Sequence, residues 1–257
     1  MKRVQLFEFE DQKWFPNSLR NYGTDFLRFI SHKTKMYGPI IPVLEKGLRK
    51  SNTTQIIDVG SGSGGGLLWI NEQLKKTFPE LKLVLTDIYP NLPAYKTAQK
   101  KANNISYIKE PIDARNVPVD LDGLRTHFLS FHHFNPKDAQ LILQNVINAN
   151  HSIALFEGQE RSVSSVLAMV FSPLTVLFVT PFIRPLSLGR ILFTYIIPLV
   201  PLFVFWDGLV SALRTYSVEE MKELVGSLNG GENYYWEINK VKSGPSVILY
   251  LLGTKRV

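Results

Sequence analysis

The sequence predicts an α/β fold, a mostly parallel sheet with helices on both faces, and two observations predict it. First, apolar strand-like runs alternate with amphipathic helix-like segments between residues 55 and 157. That alternation produces parallel strands joined by crossover helices. Second, the first of those strands runs straight into a glycine turn, QIIDVGSGSGGG, at residues 55–66. Glycine lacks a Cβ and accepts positive φ, so such a turn lets the backbone approach a charged ligand closely. The helix expected from near Gly64 then offers unpaired N–H groups to that ligand.

The elements follow in order. Residues 1–50 form a preface, with a helix expected from Thr24 as N-cap and ending by Gly38-Pro39. Strands are expected near 55–59, 81–87, 105–109, 124–131 and 151–157, and helices near 64–76, 91–102 and 136–149. Asn135-Pro136 reads as an N-cap followed by proline at the first helical position. Ser217-Val218-Glu219-Glu220 is a capping box opening another helix. Two β-rich runs, YYWEINKV and SVILYLLG, close the chain. Ligands of such sheets sit beyond the carboxyl ends of the strands, where the glycine turn, Asp87, Asp113 and His132 all fall.

The turn admits two cofactor readings. Gly60, Gly62 and Gly65 satisfy G-x-G-x-x-G, and Asp87 ends the next strand at the distance of a ribose-binding acid, which suits a dinucleotide. The stretch Asp58-Val59-Gly60-Ser61-Gly62-Ser63-Gly64 resembles the D-x-G-x-G-x-G signature of class I S-adenosylmethionine-dependent methyltransferases. Asp113-Ala114 after the third strand and the closing strand pair strengthen that resemblance, which covers about residues 51–160 and 215–257. It implies a Rossmann-like, doubly wound, mostly parallel seven-stranded sheet with an antiparallel last strand, and S-adenosylmethionine as cofactor. It also implies site roles. The turn (Gly60, Ser61, Gly62, Gly64) would meet the methionine end, Asp58 would order the turn or reach the methionine amine through water, and Asp87, with Ile88 beside it, would meet the ribose hydroxyls. Asp113 and Ala114 would meet the adenine, and Ser130 would line the site from strand four. The chain thus divides into an N-terminal helical cap (1–50), a cofactor-binding core (51–160), an apolar helical insert (161–214), and the final helix with the closing strands (215–257).

Composition narrows the classes. At 257 residues the chain can bury one substantial core with material left for a cap or insert. It has no cysteine, which excludes disulfides, a thiolate nucleophile and a cysteine zinc site, and fits a cytoplasmic protein. The net charge of +7 is scattered, without dense arginine–aromatic interleaving, so nucleic acid is not an expected partner. A basic balance also suits an anionic membrane face. The first residues, MKRVQLFEFEDQKW, lack a signal-peptide core.

Residues 162–206 depart from the α/β scheme. Their only charged side chains are Arg184 and Arg190. The second arm, ILFTYIIPLVPLFVFW, is shorter than the ~20 residues of a spanning helix and carries Pro198 and Pro201. Three readings are open: a hydrophobic lid or tunnel over the catalytic end, a monotopic hairpin with both arginines at the headgroups on the inner membrane face, or a helical insert buried against the core or in a dimer interface. The first two imply a lipophilic substrate. Just beyond, Asp207, Ser211 and Arg214 would share one face of a helix, either as part of the acceptor pocket or with Asp207 as a cap and Arg214 paired with it or with a sheet-end carbonyl. The stretch containing them is similar to ones in bacterial methyltransferase-like proteins of unassigned substrate.

Methyl transfer needs alignment and exclusion of water, and a base only if the acceptor arrives protonated. Strand four ends in Ser130-Phe131-His132-His133, so His132 and His133 are the candidate bases, or packing beneath the cofactor. Glu157 and Tyr22 are weaker candidates, and Trp14 and Tyr22 are candidates to face the acceptor. No metal set is expected, because adjacent histidines converge poorly on one ion and no partners stand at ligand spacing. Two other classes compete: a nicotinamide-dependent oxidoreductase, for which a Tyr-x-x-x-Lys pair is missing after strands four and five, and a non-catalytic cofactor-fold protein that binds a membrane or partner through the insert.

Overall fold

A computed structural model of the chain describes residues 1–64, 66–244 and 246–256. The preface forms α1 (Asn17–Lys33) and α2 (Ile41–Lys50). The core then alternates β1 (Gln55–Val59), α3 (Leu67–Leu74), β2 (Lys82–Thr86), α4 (Leu92–Lys101), β3 (Ile105–Tyr107), β4 (Leu124–Phe128), α5 (Pro136–Asn148) and β5 (Ser152–Glu157). The insert folds as α6 (Val163–Val170), α7 (Ser172–Val179), α8 (Leu188–Ile191) and α9 (Leu199–Arg214). The chain returns through α10 (Val218–Gly226) to β6 (Tyr234–Ser243) and β7 (Ser246–Lys255).

The seven strands form one sheet in the order β3-β2-β1-β4-β5-β7-β6, with β7 antiparallel to both its neighbours and the other pairings parallel. The doubly wound α/β expectation is met. Side-chain alternation distributes the strands between two apolar layers. Ile56, Ala154, Phe156 and Leu252 pack with α2, α3 and α4 on one face. Ile57, Ile153, Leu155 and Leu251 pack with α5 and α10 on the other. The order reverses between β1 and β4, and the crevice beyond their carboxyl ends is the switch point where such sheets take ligands.

Both expected caps form: Asn135 accepts from the Lys137 and Asp138 N–H groups, and Ser217 and Glu220 make a reciprocal capping box. The N-terminal helix differs from expectation. It starts at Asn17, after Pro16, so Thr24 lies mid-helix with its hydroxyl on the Asn21 carbonyl. Leu19, Gly23 and Phe26 share its buried face at helical spacing. Gly23 is needed there because a Cβ would stand 2.6 Å from the Phe203 ring of α9. A third apolar cluster, including Leu19, Phe26, Val176, Val200 and Phe203, joins α1 to the insert.

Candidate functional site

Beyond β1 the backbone turns through positive φ at Gly60, Gly62 and Gly64 (76°, 54° and 80°), a region that favours glycine. The Gly60 and Ser61 N–H groups both donate to the Thr86 carbonyl, folding the turn against the end of β2. Asp58, wholly buried, accepts from the Thr126 hydroxyl at 2.7 Å, and its carbonyl accepts from Ser61 and Thr86 hydroxyls. Burial pushes its carboxyl up to about 7, against the neighbouring hydroxyls and aided by the charge on Asp87. Asp58 therefore braces β1, β4 and the turn. Asp87 accepts from the Gly62 N–H with one oxygen and from the Tyr89 N–H with the other, both at 2.8 Å. Gly65 lies outside the described residues. The helix starts at Leu67, later than expected.

A cavity of about 570 Å³ opens at this end of the sheet. Asp58, Gly60, Ser61 and Gly62 line it from the turn, and Asp87 and Ile88 from β2. Asp113, Ala114, Ser130 and His133 complete the sequence-predicted residues on its wall, whereas Gly64 faces a neighbouring crevice with Arg28 and Leu68. Asp113 caps a short turn, Ala114–Asn116, and Arg115 clasps both its oxygens, holding the carboxyl below its ordinary value. Strand β4 ends earlier than expected, at Phe128, because Leu129 takes a φ of 52°. A branched aliphatic residue in that region is an outlier, and beyond it Ser130 and His133 reach the cavity wall.

The two histidines part company. His132 is buried and absent from the cavity wall, with Nδ1 2.7 Å from Glu157 and its backbone N–H donating to the same carboxylate. Burial opposes charge on Glu157, but His132 and then His133 hold its carboxyl below the ordinary value. This pair is a buried brace behind the cavity wall, an arrangement that matches the packing alternative for His132. His133 does line the cavity, with Nδ1 2.7 Å from Asp11 and 3.3 Å from Glu8. Burial works against its charge, yet Glu8 and Asp11 outweigh that and raise it to about 10. These acids favour the charged form of His133 and occupy its Nδ1.

Those acids arrive from a segment the sequence reading left without a role. Residues 3–11 lie along α9: the Val4 N–H donates to the Leu213 carbonyl, and the Trp206 indole donates to the Phe7 carbonyl. Asp207 accepts from the Phe9 and Glu10 N–H groups, so it caps the 3-10 turn Phe9–Asp11 rather than its own helix. Arg214 is buried 3.1 Å from Glu8 and 2.7 Å from Asp11, and also donates to the His133 carbonyl. Asp207 and Arg214 thus share a face as expected, but neither they nor Ser211 line the cavity. What they hold does: Glu10 and Asp11 are on its wall. Burial, with Asp207 and Glu8 adding and His133 and Arg20 opposing, raises Glu10 to about 8. The alternation of acids and phenylalanines in FEFED was the sequence signal for this segment.

The other acceptor candidates lie elsewhere. Trp14 is 67% exposed against Phe9 and Phe15, and Tyr22 packs on the insert beside Ser187 and Gly189. One face of α1 (Arg20, Asn21, Thr24, Leu27) lines the cavity while the opposite face bears the insert, no residue of which reaches the cavity wall. Glu8, His132 and His133 also bring three ligand atoms within 4.8 Å of one another, which the sequence reading did not foresee. The Arg214 guanidinium already supplies positive charge to Glu8 in that cluster.

No protein-family model and no curated protein matches the sequence. Among solved structures, PigF with SAH superposes with a TM-score of 0.50 at 16% identity, covering 95% of this chain and 63% of that one. An O-methyltransferase family protein from Burkholderia thailandensis gives 0.49 at 12% identity, over 86% of this chain and 57% of that one. Human N-acetylserotonin methyltransferase in complex with SAM gives 0.48 at 14% identity, over 90% and 56%. The chain spans roughly half to three-fifths of the length of these structures, and at such identities the likeness is one of fold.

Proposed function

We propose that the chain is an S-adenosylmethionine-dependent methyltransferase acting on a small, lipophilic acceptor. The observation that carries the reading is the convergence of the glycine turn, Asp87 and the Asp113–Ala114 turn on one cavity, with His133 and Glu10 on the same wall. A volume of about 570 Å³ lies within the usual range for a ligand cleft. After accepting from Gly62 and Tyr89, each Asp87 oxygen keeps a lone pair, enough for two ribose hydroxyls. Asp113 fits less freely, since Arg115 must yield toward Asp138, 3.3 Å away, before an adenine amine can donate.

When bound, the cofactor supplies a methyl group already activated on a positively charged sulfur. The chain's own residues then align the acceptor and exclude water. Glu10, raised to about 8 by burial, is placed to take a proton from the acceptor at mildly alkaline pH, where it ionises. His133, held charged by Glu8 and Asp11, faces the same space as a cation and hydrogen-bond donor. The lipophilicity of the acceptor rests on the insert, whose apolar surface suits an enzyme working beside the inner face of a membrane.

The reading is tested by incubating the protein and methyl-labelled S-adenosylmethionine with a cellular lipid extract. Label should enter the organic-soluble fraction, and Glu10→Gln should slow its transfer by about 100-fold, within the range for loss of a general base. Label confined to water-soluble products would refute the lipophilic acceptor.

A further inference from the structure

The insert is built with its polar groups inward. Ser172, Thr180, Arg190 and Thr194 are buried, the two threonine hydroxyls 3.5 Å apart. Arg190 is not free for the headgroup contact that the monotopic-hairpin reading gave it. It pairs with Asp25 of α1 at 3.0 Å and donates to the Ile183 and Pro185 carbonyls, fastening the insert to the core. Outward, Val163, Leu167, Phe171, Leu174, Phe178 and Phe182 are all exposed, at helical spacings of three and four. Leu188, Leu192, Ile196, Leu199 and Leu202 make a second exposed stripe of the same kind. Phe178 and Leu188 are 76% and 89% exposed. So many large apolar side chains exposed within one segment of a folded domain mark an interaction site.

Charge selects the occupant. No aspartate or glutamate occurs in residues 162–206 or 26–44. The second of these segments carries Arg28, which pairs with Asp25 at 2.9 Å and donates to the carbonyl of the exposed Arg184 at the edge of the insert; Lys33 and Lys35, further along the same stretch, are exposed. A second copy docked by a two-fold would set this basic rim against itself. An anionic bilayer would neutralise it. Length decides the depth. Among the described residues no single helix is long and apolar enough to cross a membrane, and the insert's two helix pairs are bent by 45° and 78°. Each pair together has the length and composition of a span, but its bend turns the second helix away from the line of the first. The eight residues of α6 alone reach about 12 Å against a hydrocarbon core ~30 Å thick.

We infer that the two outward stripes of the insert dock into one leaflet of an anionic bilayer, with Arg28 and Arg184 at its headgroups. This deepens the proposed function by naming its partner, but the surface stands without it, because docking needs neither cofactor nor acceptor. The full chain is sedimented with phosphatidylcholine vesicles, with and without phosphatidylglycerol. Binding is expected to the anionic vesicles, weakened by salt, and the double variant Phe178→Gln/Ile196→Gln should reduce it at least about tenfold with an unchanged circular dichroism spectrum. Phe178→Trp provides a second readout that needs no loss of apolar surface: its fluorescence should be quenched by brominated acyl chains more than that of the parent chain. A chain that stays in the supernatant, a Phe178→Trp variant quenched no more than the parent, or a soluble dimer whose hydrogen-exchange protection covers the two stripes would overturn the inference.

Discussion

At the scale of single residues, Asp87 and Glu10 carry the most. Asp87 is fixed by two backbone donors and still has acceptor capacity turned to the cavity. Asp87→Ala is expected to weaken S-adenosylhomocysteine binding about 10- to 100-fold, the worth of charge-assisted hydrogen bonds, as measured by calorimetry. The charged groups also set a pH dependence. Unfolded, Glu10, Asp58 and Asp207 ionise near pH 4, whereas folded they keep their protons until about 8, 7 and 7. Over that window the folded chain binds more protons, so stability falls as pH rises. His133, raised to about 10, acts in the same sense: its contribution is whole below its unfolded value and is lost as pH climbs through 10. Glu157 and Asp11, both held below their ordinary values, contribute above about pH 4 and lose this on acidification. The melting temperature should therefore be highest at about pH 5 to 6 and decline toward pH 9, and Glu10→Gln should flatten the decline. A melting temperature that rises over that range would contradict these assignments.

At the scale of elements, the N-terminal strap and α9 form one unit held by Asp207 and Arg214. Arg214→Leu leaves Glu8 and Asp11 without their buried partner and should cost about 3–5 kcal/mol in denaturant unfolding. A loss below about 1 kcal/mol would mean that the strap is held otherwise. The strands, the glycine turn and the caps were legible in the sequence, because each is written within a few consecutive residues: an apolar run, Gly60 to Gly64, Asn135-Pro136, Ser217 to Glu220. What was not legible depends on distant pairs. Thr24 has the chemistry of an N-cap, but the close packing of Gly23 against Phe203 carries the helix back to Asn17. His132 and His133 are neighbours in sequence, yet Glu157 claims one and Asp11 the other from opposite ends of the core. The polar stripe after the insert asked for a reason, and that reason lay about two hundred residues away in the strap.

At the scale of the whole molecule, the sheet places its switch point under one cavity, α1 separates that cavity from the insert, and the insert turns an apolar surface outward. Ligand binding at the switch point is thermodynamically linked to the entire fold. S-adenosylhomocysteine at a hundredfold excess over its Kd should therefore stabilise the chain by about 2.7 kcal/mol. The insert's surface should be indifferent to it, since no insert residue lines the cavity. The most direct test of the central claim, that this cavity holds S-adenosylmethionine, is titration calorimetry of the intact chain with S-adenosylhomocysteine and, separately, with NADH. The expected result is saturable binding of S-adenosylhomocysteine, sharply weakened in Asp87→Ala, and none of NADH. Binding of NADH instead, or of neither, would contradict it.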